Sequence, residues 1–145
     1  MIDPHQYLRF HLGDVLYLIS GRVSVAIDQR DNLQVNTGRG LASAWRVQGG
    51  DRWPAYCLDR ELRAAPRGDW ERAIFLEAQP HPVGLSTGEV DVLAQTEVQV
   101  APFTPLGPAA TRVGHLFTGA WVQGDQVTLV FDPSALVAYL QSLEG

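Results

Sequence analysis

The apolar runs of this chain are short, and three of the reversals between them set glycine beside aspartate: Gly13-Asp14, Gly49-Gly50-Asp51 and Gly124-Asp125. Glycine supplies the positive φ angles that tight strand reversals need, so each group marks a hairpin. The central one, within Leu41–Leu62, organises the rest. Leu41, Trp45 and Val47 share a face of its first strand, Gln48-Gly49-Gly50-Asp51 turns, and a second apolar run ends at Leu58. Pro54 in that second run cannot donate to a ladder, which predicts an edge or a bulge. Asp59-Arg60-Glu61-Leu62 reads as a short helix-like break.

Around this hairpin the same grammar recurs. Tyr7–Leu12 alternates with Leu8, Phe10 and Leu12 on one face, and Val15–Ile19 is its return strand. Val23, Val25 and Ile27 fit a strand or a single helical turn. Asp28–Gly40 is polar and reads as a long surface loop, as does Ala64–Asp69. Ala73-Ile74-Phe75-Leu76 is uninterrupted and predicts a strand covered on both faces. Val83–Leu85 is a short strand after the Gln79–Pro82 turn. Gly88–Gln95 fits a helical turn or a strand, and Thr96–Val100 a strand with Val98 and Val100 inward. Ala101–Gly114, with Pro102, Pro105 and Pro108, reads as an irregular loop. Phe117–Val122 and Val127–Phe131 form the clearest hairpin.

One helix closes the chain. Asp132 is a natural N-cap and Pro133 suits the first helical position, while Leu136, Leu140 and Leu143, helped by Val137, give an apolar face. Roughly nine short strands with turns every ~8–15 residues and a terminal helix predict an all-β barrel or sandwich. The 145 residues suit a single domain, 1–145, with its own core.

Several function classes find no support. All eleven basic residues are arginines, scattered through a chain of net charge −5, so no basic stripe exists to neutralise nucleic-acid phosphates. The N-terminal segment has no basic and apolar leader pattern, and no apolar run is long enough to cross a bilayer; the expectation is a cytoplasmic protein without membrane insertion. Cys57 is the only cysteine, which rules out an intramolecular disulfide.

Cys57, His81 and Asp59 are the raw materials of a thiol-nucleophile site, but the expectation is a buried core cysteine and a turn histidine. His5, His11, His81 and His115 lack metal-ligand spacing; on one strand His5 and His11 would stand about 20 Å apart at ~3.3 Å per residue. The acidic residues Asp59, Glu61, Glu89 and Asp91 read as solvated. No glycine pattern matches a phosphate-binding loop. No catalytic residue, metal or cofactor is expected. Four tryptophans, Trp45, Trp53, Trp70 and Trp121, are many for this length; at least two belong in the core, and any left exposed would anchor a protein interface.

Four segments, in order, resemble the CheW-like domain, the adaptor of bacterial chemotaxis arrays. Tyr7-Leu8-Arg9-Phe10-His11-Leu12-Gly13-Asp14 with Tyr17 resembles the family's opening (F/Y)LvFxLGxxxY. Gly49–Leu58 resembles RGxxxPvxDL, with Pro54 and Leu58 matching. Phe75–Val90, with Val83-Gly84-Leu85, resembles the segment around vGlxVDxV. Thr118-Gly119 through Asp132 and Leu136 resembles ytGxxxxxGdxxxxllDxxxLL.

The resemblance implies two interleaved, small, five-stranded SH3-like barrels around one core, with no catalysis. It implies partners of two kinds, the regulatory domain of a CheA-type histidine kinase and the tip of a methyl-accepting chemoreceptor, in chemotaxis or pilus-motility systems. The family's NLRG tetrad falls on Val47-Gln48-Gly49-Gly50, so its arginine is Gly49; two family aspartates fall on Cys57 and Gly88. Those departures allow an alternative, a barrel that has lost this coupling and binds a small ligand or another protein. The expected partner-binding residues are Trp45, Val47, Gln48 and Asp51 of the central hairpin, and Arg39 in the loop before it. Oligomeric state is left open.

Overall fold

The computed structural model describes residues 6–103 and 116–143. Twelve strands among the described residues form two six-stranded sheets, with one α-helix at the end. The first sheet holds β1 (Gln6–Leu12), β2 (Val15–Ser20), β9 (Val90–Ala94), β10 (Val100–Pro102), β11 (Phe117–Gln123) and β12 (Gln126–Phe131), in the order β10-β11-β12-β2-β1-β9. The second holds β3 (Ser24–Gln29), β4 (Gln34–Val35), β5 (Ala44–Gln48), β6 (Asp51–Cys57), β7 (Arg72–Leu76) and β8 (Val83–Thr87), in the order β3-β7-β8-β6-β5-β4. In both sheets two antiparallel groups of three strands meet through one parallel pair, β12 with β2 and β6 with β8. The second sheet is thus inserted between β2 and β9 of the first.

The expected all-β fold with a terminal helix is what the chain adopts, with six strands per sheet rather than five. Both sheets curl. Tyr7 of β1, Leu93 of β9, Val100 of β10 and Trp121 of β11 pack with Leu18 and Val130, which brings the first sheet's two edges into one cluster. In the second, Ala26 of β3 joins Ala55, Ala73, Phe75 and Trp53. The remaining core lies between the sheets: Leu8, Phe10, Leu12, Tyr17 and Ile19 meet Tyr56, Ile74, Leu76, Val83 and Leu85. Ile74 and Phe75 therefore serve different clusters from opposite faces of β7, as expected for its unbroken apolar run.

Three two-residue hairpin loops share one solution. Gly13, Gly49 and Gly124 each occupy the first loop position with φ near +60°, and no other residue of these loops has positive φ; this is the sign pattern of a type II′ turn. Helix α1 (Pro133–Ser142) starts as its sequence requires, the Asp132 carboxylate accepting from the Ser134 N–H at 3.1 Å. Leu136 and Leu140 are fully buried in the inter-sheet core. Replacing either with alanine removes a contact set worth ~2–5 kcal/mol.

The structure corrects five local expectations. The 28–40 loop contains a 3-10 turn, Arg30–Asn32, and the short strand β4. Leu41 precedes β5, which starts at Ala44. Asp59–Leu62 is not helical: Asp59 Oδ1 accepts from the Glu61 and Arg63 N–H groups, and Leu62 takes a left-handed φ of 62°. Thr96–Val100 is not one strand, since a 3-10 turn covers Gln95–Glu97 and β10 begins at Val100, carrying Ala101 and Pro102 into the sheet. Pro54 lies on an interior strand without a bulge. It faces Trp45 on β5, and the ladder to β8 begins only at Ala55, so its missing N–H falls outside that pairing. The two open alternatives resolve mainly as strands, β3 and β9, with Val23 in a 3-10 turn, Gly21–Val23, just before β3. The rest of the proline-rich segment, 104–115, lies outside the described residues.

Candidate functional site

Register sorts the hairpin β5–β6 into two faces. Gln48 opposes Asp51, Val47 opposes Arg52, Arg46 opposes Trp53 and Trp45 opposes Pro54. Side chains alternate across a strand, so Trp45, Val47, Arg52, Pro54 and Tyr56 share one face while Arg46, Gln48, Asp51 and Trp53 share the other. The expected residues are therefore divided: Trp45 and Val47 stand together, and Gln48 and Asp51 pair on the reverse face at the exposed tip.

The inner face carries an ion pair. Arg46 Nη1 lies 3.0 Å from Asp28 Oδ2 of β3, and its guanidinium sits 5.2 Å from the Trp53 ring and 6.0 Å from that of Phe75. The outer face looks onto an open groove of about 550 Å³, walled by Leu41, Trp45, Arg52, Tyr56, His81 and Leu143 among others. Arg52 is stacked on Trp45 with 4.1 Å between guanidinium carbon and ring centroid. The two are diagonal neighbours, Arg52 standing two residues from Pro54, the direct partner of Trp45, which is within reach for long side chains. Sequence reading missed Arg52. Counting back two from Pro54 in the register that Gly49-Gly50 imposes would have put it beside Trp45.

Arg39 is exposed, in a loop shaped by Asn36. The Asn36 side-chain amide donates to the Arg39 and Ala42 carbonyls at 3.1 and 2.8 Å, and its Oδ1 accepts from the Gly38 N–H at 2.8 Å. Gly40 and Leu41, next along, line the groove. Arg39 itself precedes these lining residues and is not one of them.

The cysteine chemistry does not assemble. Cys57 and Tyr56 point to opposite faces of β6: Tyr56 towards the groove beside His81, Cys57 into a cluster with Ala44 and Trp70. Burial pushes the Cys57 thiol pKa up, with the Arg30 charge partly opposing. Asp59 is held in its turn, and the Arg63 backbone N–H, with help from that of Glu61 and the Arg63 charge, keeps its carboxyl below the usual range. The other acidic candidates are exposed, with Asp91 paired to Arg9 at 3.1 Å and Glu61 to Arg63. Among the described residues no three His, Cys, Asp or Glu side chains gather as a metal centre; His5 and His115 lie outside them. Of the tryptophans, Trp70 and Trp121 are buried and Trp45 and Trp53 half-buried. No described helix is long and apolar enough to cross a membrane.

Compared with known proteins, the chain matches no family model and no curated sequence. Its fold is similar to the crystal structure of the scaffolding protein TtCheW from Thermoanaerobacter tengcongensis, with a TM-score of 0.56 over 90% of each chain at 13% identity. The chain has a CheW-like fold. In that setting Gly49, where the family tetrad has arginine, carries a φ of +61°, a conformation in which any side chain is strained.

Proposed function

We propose that this chain, as a single CheW-like domain over residues 1–145, is a non-enzymatic adaptor of a chemotaxis-like signalling system in the cytoplasm. It couples a methyl-accepting chemoreceptor, or a receptor of similar role, to the regulatory domain of a CheA-type histidine kinase. The observation that carries this reading is the fold shared with a scaffolding protein along nine-tenths of both chains. The central hairpin adds to it. Val47 is 55% exposed and Leu41 46%, on either side of a half-buried tryptophan, which is the composition of a protein-binding surface. Trp45, Val47, Gln48, Asp51 and Arg39 are the residues proposed for partner contact, with Arg52 added to them.

Affinity purification of the tagged protein from its native cell, followed by mass spectrometry, tests the reading. A histidine kinase or chemoreceptor enriched over an untagged control is the expected result. Reproducible absence of both overturns it. The alternative, a barrel reused to bind a small ligand, would then rest on the groove, and tryptophan emission that shifts with a metabolite would support it.

A further inference from the structure

We infer that the groove beside the central hairpin receives an acidic peptide segment of a protein partner, with a carboxylate on Arg52 and a neighbouring apolar side chain against Trp45 and Leu41. This rests on the adaptor reading in one respect only, that the occupant is part of a protein. Charge is the first argument. The chain has sixteen acidic residues against eleven arginines, yet among the described residues the one formal charge lining the groove is that of Arg52. The five ion pairs among the described residues engage Arg9, Arg46, Arg60 and Arg63; none engages Arg52. Its guanidinium lies over the Trp45 ring instead, with the central carbon 4.1 Å from the centroid, and a carboxylate can accept two of its N–H donors at once.

Shape is the second argument. Exposed apolar surface runs from Leu41, which lines the groove, to Val47, which lies outside it across from Arg52. An extended segment covers such a track, whereas a compact metabolite would leave it wet. A single arginine in the groove lining, on a chain of net charge −5, suits one or two carboxylates and not a polyanion such as nucleic acid.

The test pans a random dodecapeptide display library against the whole protein and against R52Q. Expected are wild-type-selected peptides that set Asp or Glu next to Leu, Ile, Phe or Trp. A selected peptide should lose at least about tenfold in affinity for R52Q, the scale of a charge-assisted pair. Should R52Q fold poorly by circular dichroism, the same loss is read on the wild-type protein with Glu replaced by Gln in the peptide. Selection of no peptide, selection without acidic residues, or unchanged affinity in both substitutions overturns the inference. Displacement of the peptide by succinate at the peptide's own concentration also overturns it, since the groove would then be a small-acid pocket. Native co-purification judges the adaptor reading separately, so the groove can fail while that reading stands.

Discussion

Arg46 and Asp28 touch across three intervening strands. Arg46 lies on β5 and Asp28 on β3, with β7, β8 and β6 between them in the sheet, yet Nη1 and Oδ2 are 3.0 Å apart. The contact exists because the sheet curls until its far strands face each other, and it sets the Arg46 guanidinium 6.0 Å from the ring of Phe75, which clusters with Ala55 and Ala73.

Both side chains are about a quarter exposed, at 28% and 22%, so solvent screens the pair incompletely. A double-mutant cycle with Arg46→Ala and Asp28→Ala should give a coupling of about 1 kcal/mol in urea unfolding. The arginine variant should cost more than the aspartate variant, since it also strips packing from Trp53. Additive losses would mean that the ion pair contributes nothing beyond its separate parts.

Gly84 lies in β8 under an aromatic ring. A Cβ there would come 2.8 Å from Phe75 Cε1 and 2.9 Å from Ala55 Cβ, both inside the second sheet's core. Gly84→Ala should therefore destabilise by about 1–3 kcal/mol, measured as a lower urea midpoint at unchanged slope. An unchanged midpoint would show that the Phe75 ring yields freely.

At Gly49 the cost has a different source. Space around it is open, with nothing within 4 Å of the point where a Cβ would stand, but φ is +61°. Gly49→Arg, which would place an arginine where the CheW-like tetrad has one, should lose about 1 kcal/mol or somewhat more through backbone strain alone. Thermal unfolding reads the loss. Gly50→Arg, without positive φ and equally uncrowded, is the control and should be close to neutral.

Burial of Cys57 predicts both slow chemistry and a pH trend. The folded thiol holds its proton more tightly than the unfolded one. Its contribution is thus fully present below the ordinary thiol range and declines as pH rises through it, because the unfolded chain then binds fewer protons. Wild-type stability should fall relative to Cys57→Ala as pH climbs above about 8.5. In native protein at neutral pH the thiol should resist alkylation and react promptly in denaturant; fast native alkylation would contradict its placement in the core.

Much of this architecture is legible in the residues. Glycine at positive φ fixed three hairpins, and Asp132-Pro133 fixed the start of the helix, because both signals act within a few residues. Others depend on remote partners. Gln34-Val35 is a strand only because Trp45 and Ala44 offer it a ladder. Asp59-Arg60-Glu61-Leu62 has helix-compatible side chains, but the Asp59 carboxylate captures the next backbone N–H groups first. Alternation in Thr96–Val100 was overruled by the turn that carries the chain to β10. At the site, the exposed hairpin was readable and its sidedness was not. Gln48 and Asp51 turned out to face away from Trp45, and Arg52 towards it, a distinction set by register alone.

The insertion of one sheet into the other also orders events on the ribosome. Every strand of the second sheet lies between residues 24 and 87, so that sheet can close as soon as its own stretch has emerged. The β1–β2 hairpin, made first, must wait: Arg9 meets Asp91 only 82 residues later, and Tyr17 its parallel neighbour Leu129 later still. Until then Tyr7 and Leu18, whose cluster partners are Leu93, Val100, Trp121 and Val130, lie open to any passing strand. Synthesis speed and chaperone holding, more than intrinsic stability, should set the yield of native protein from this chain.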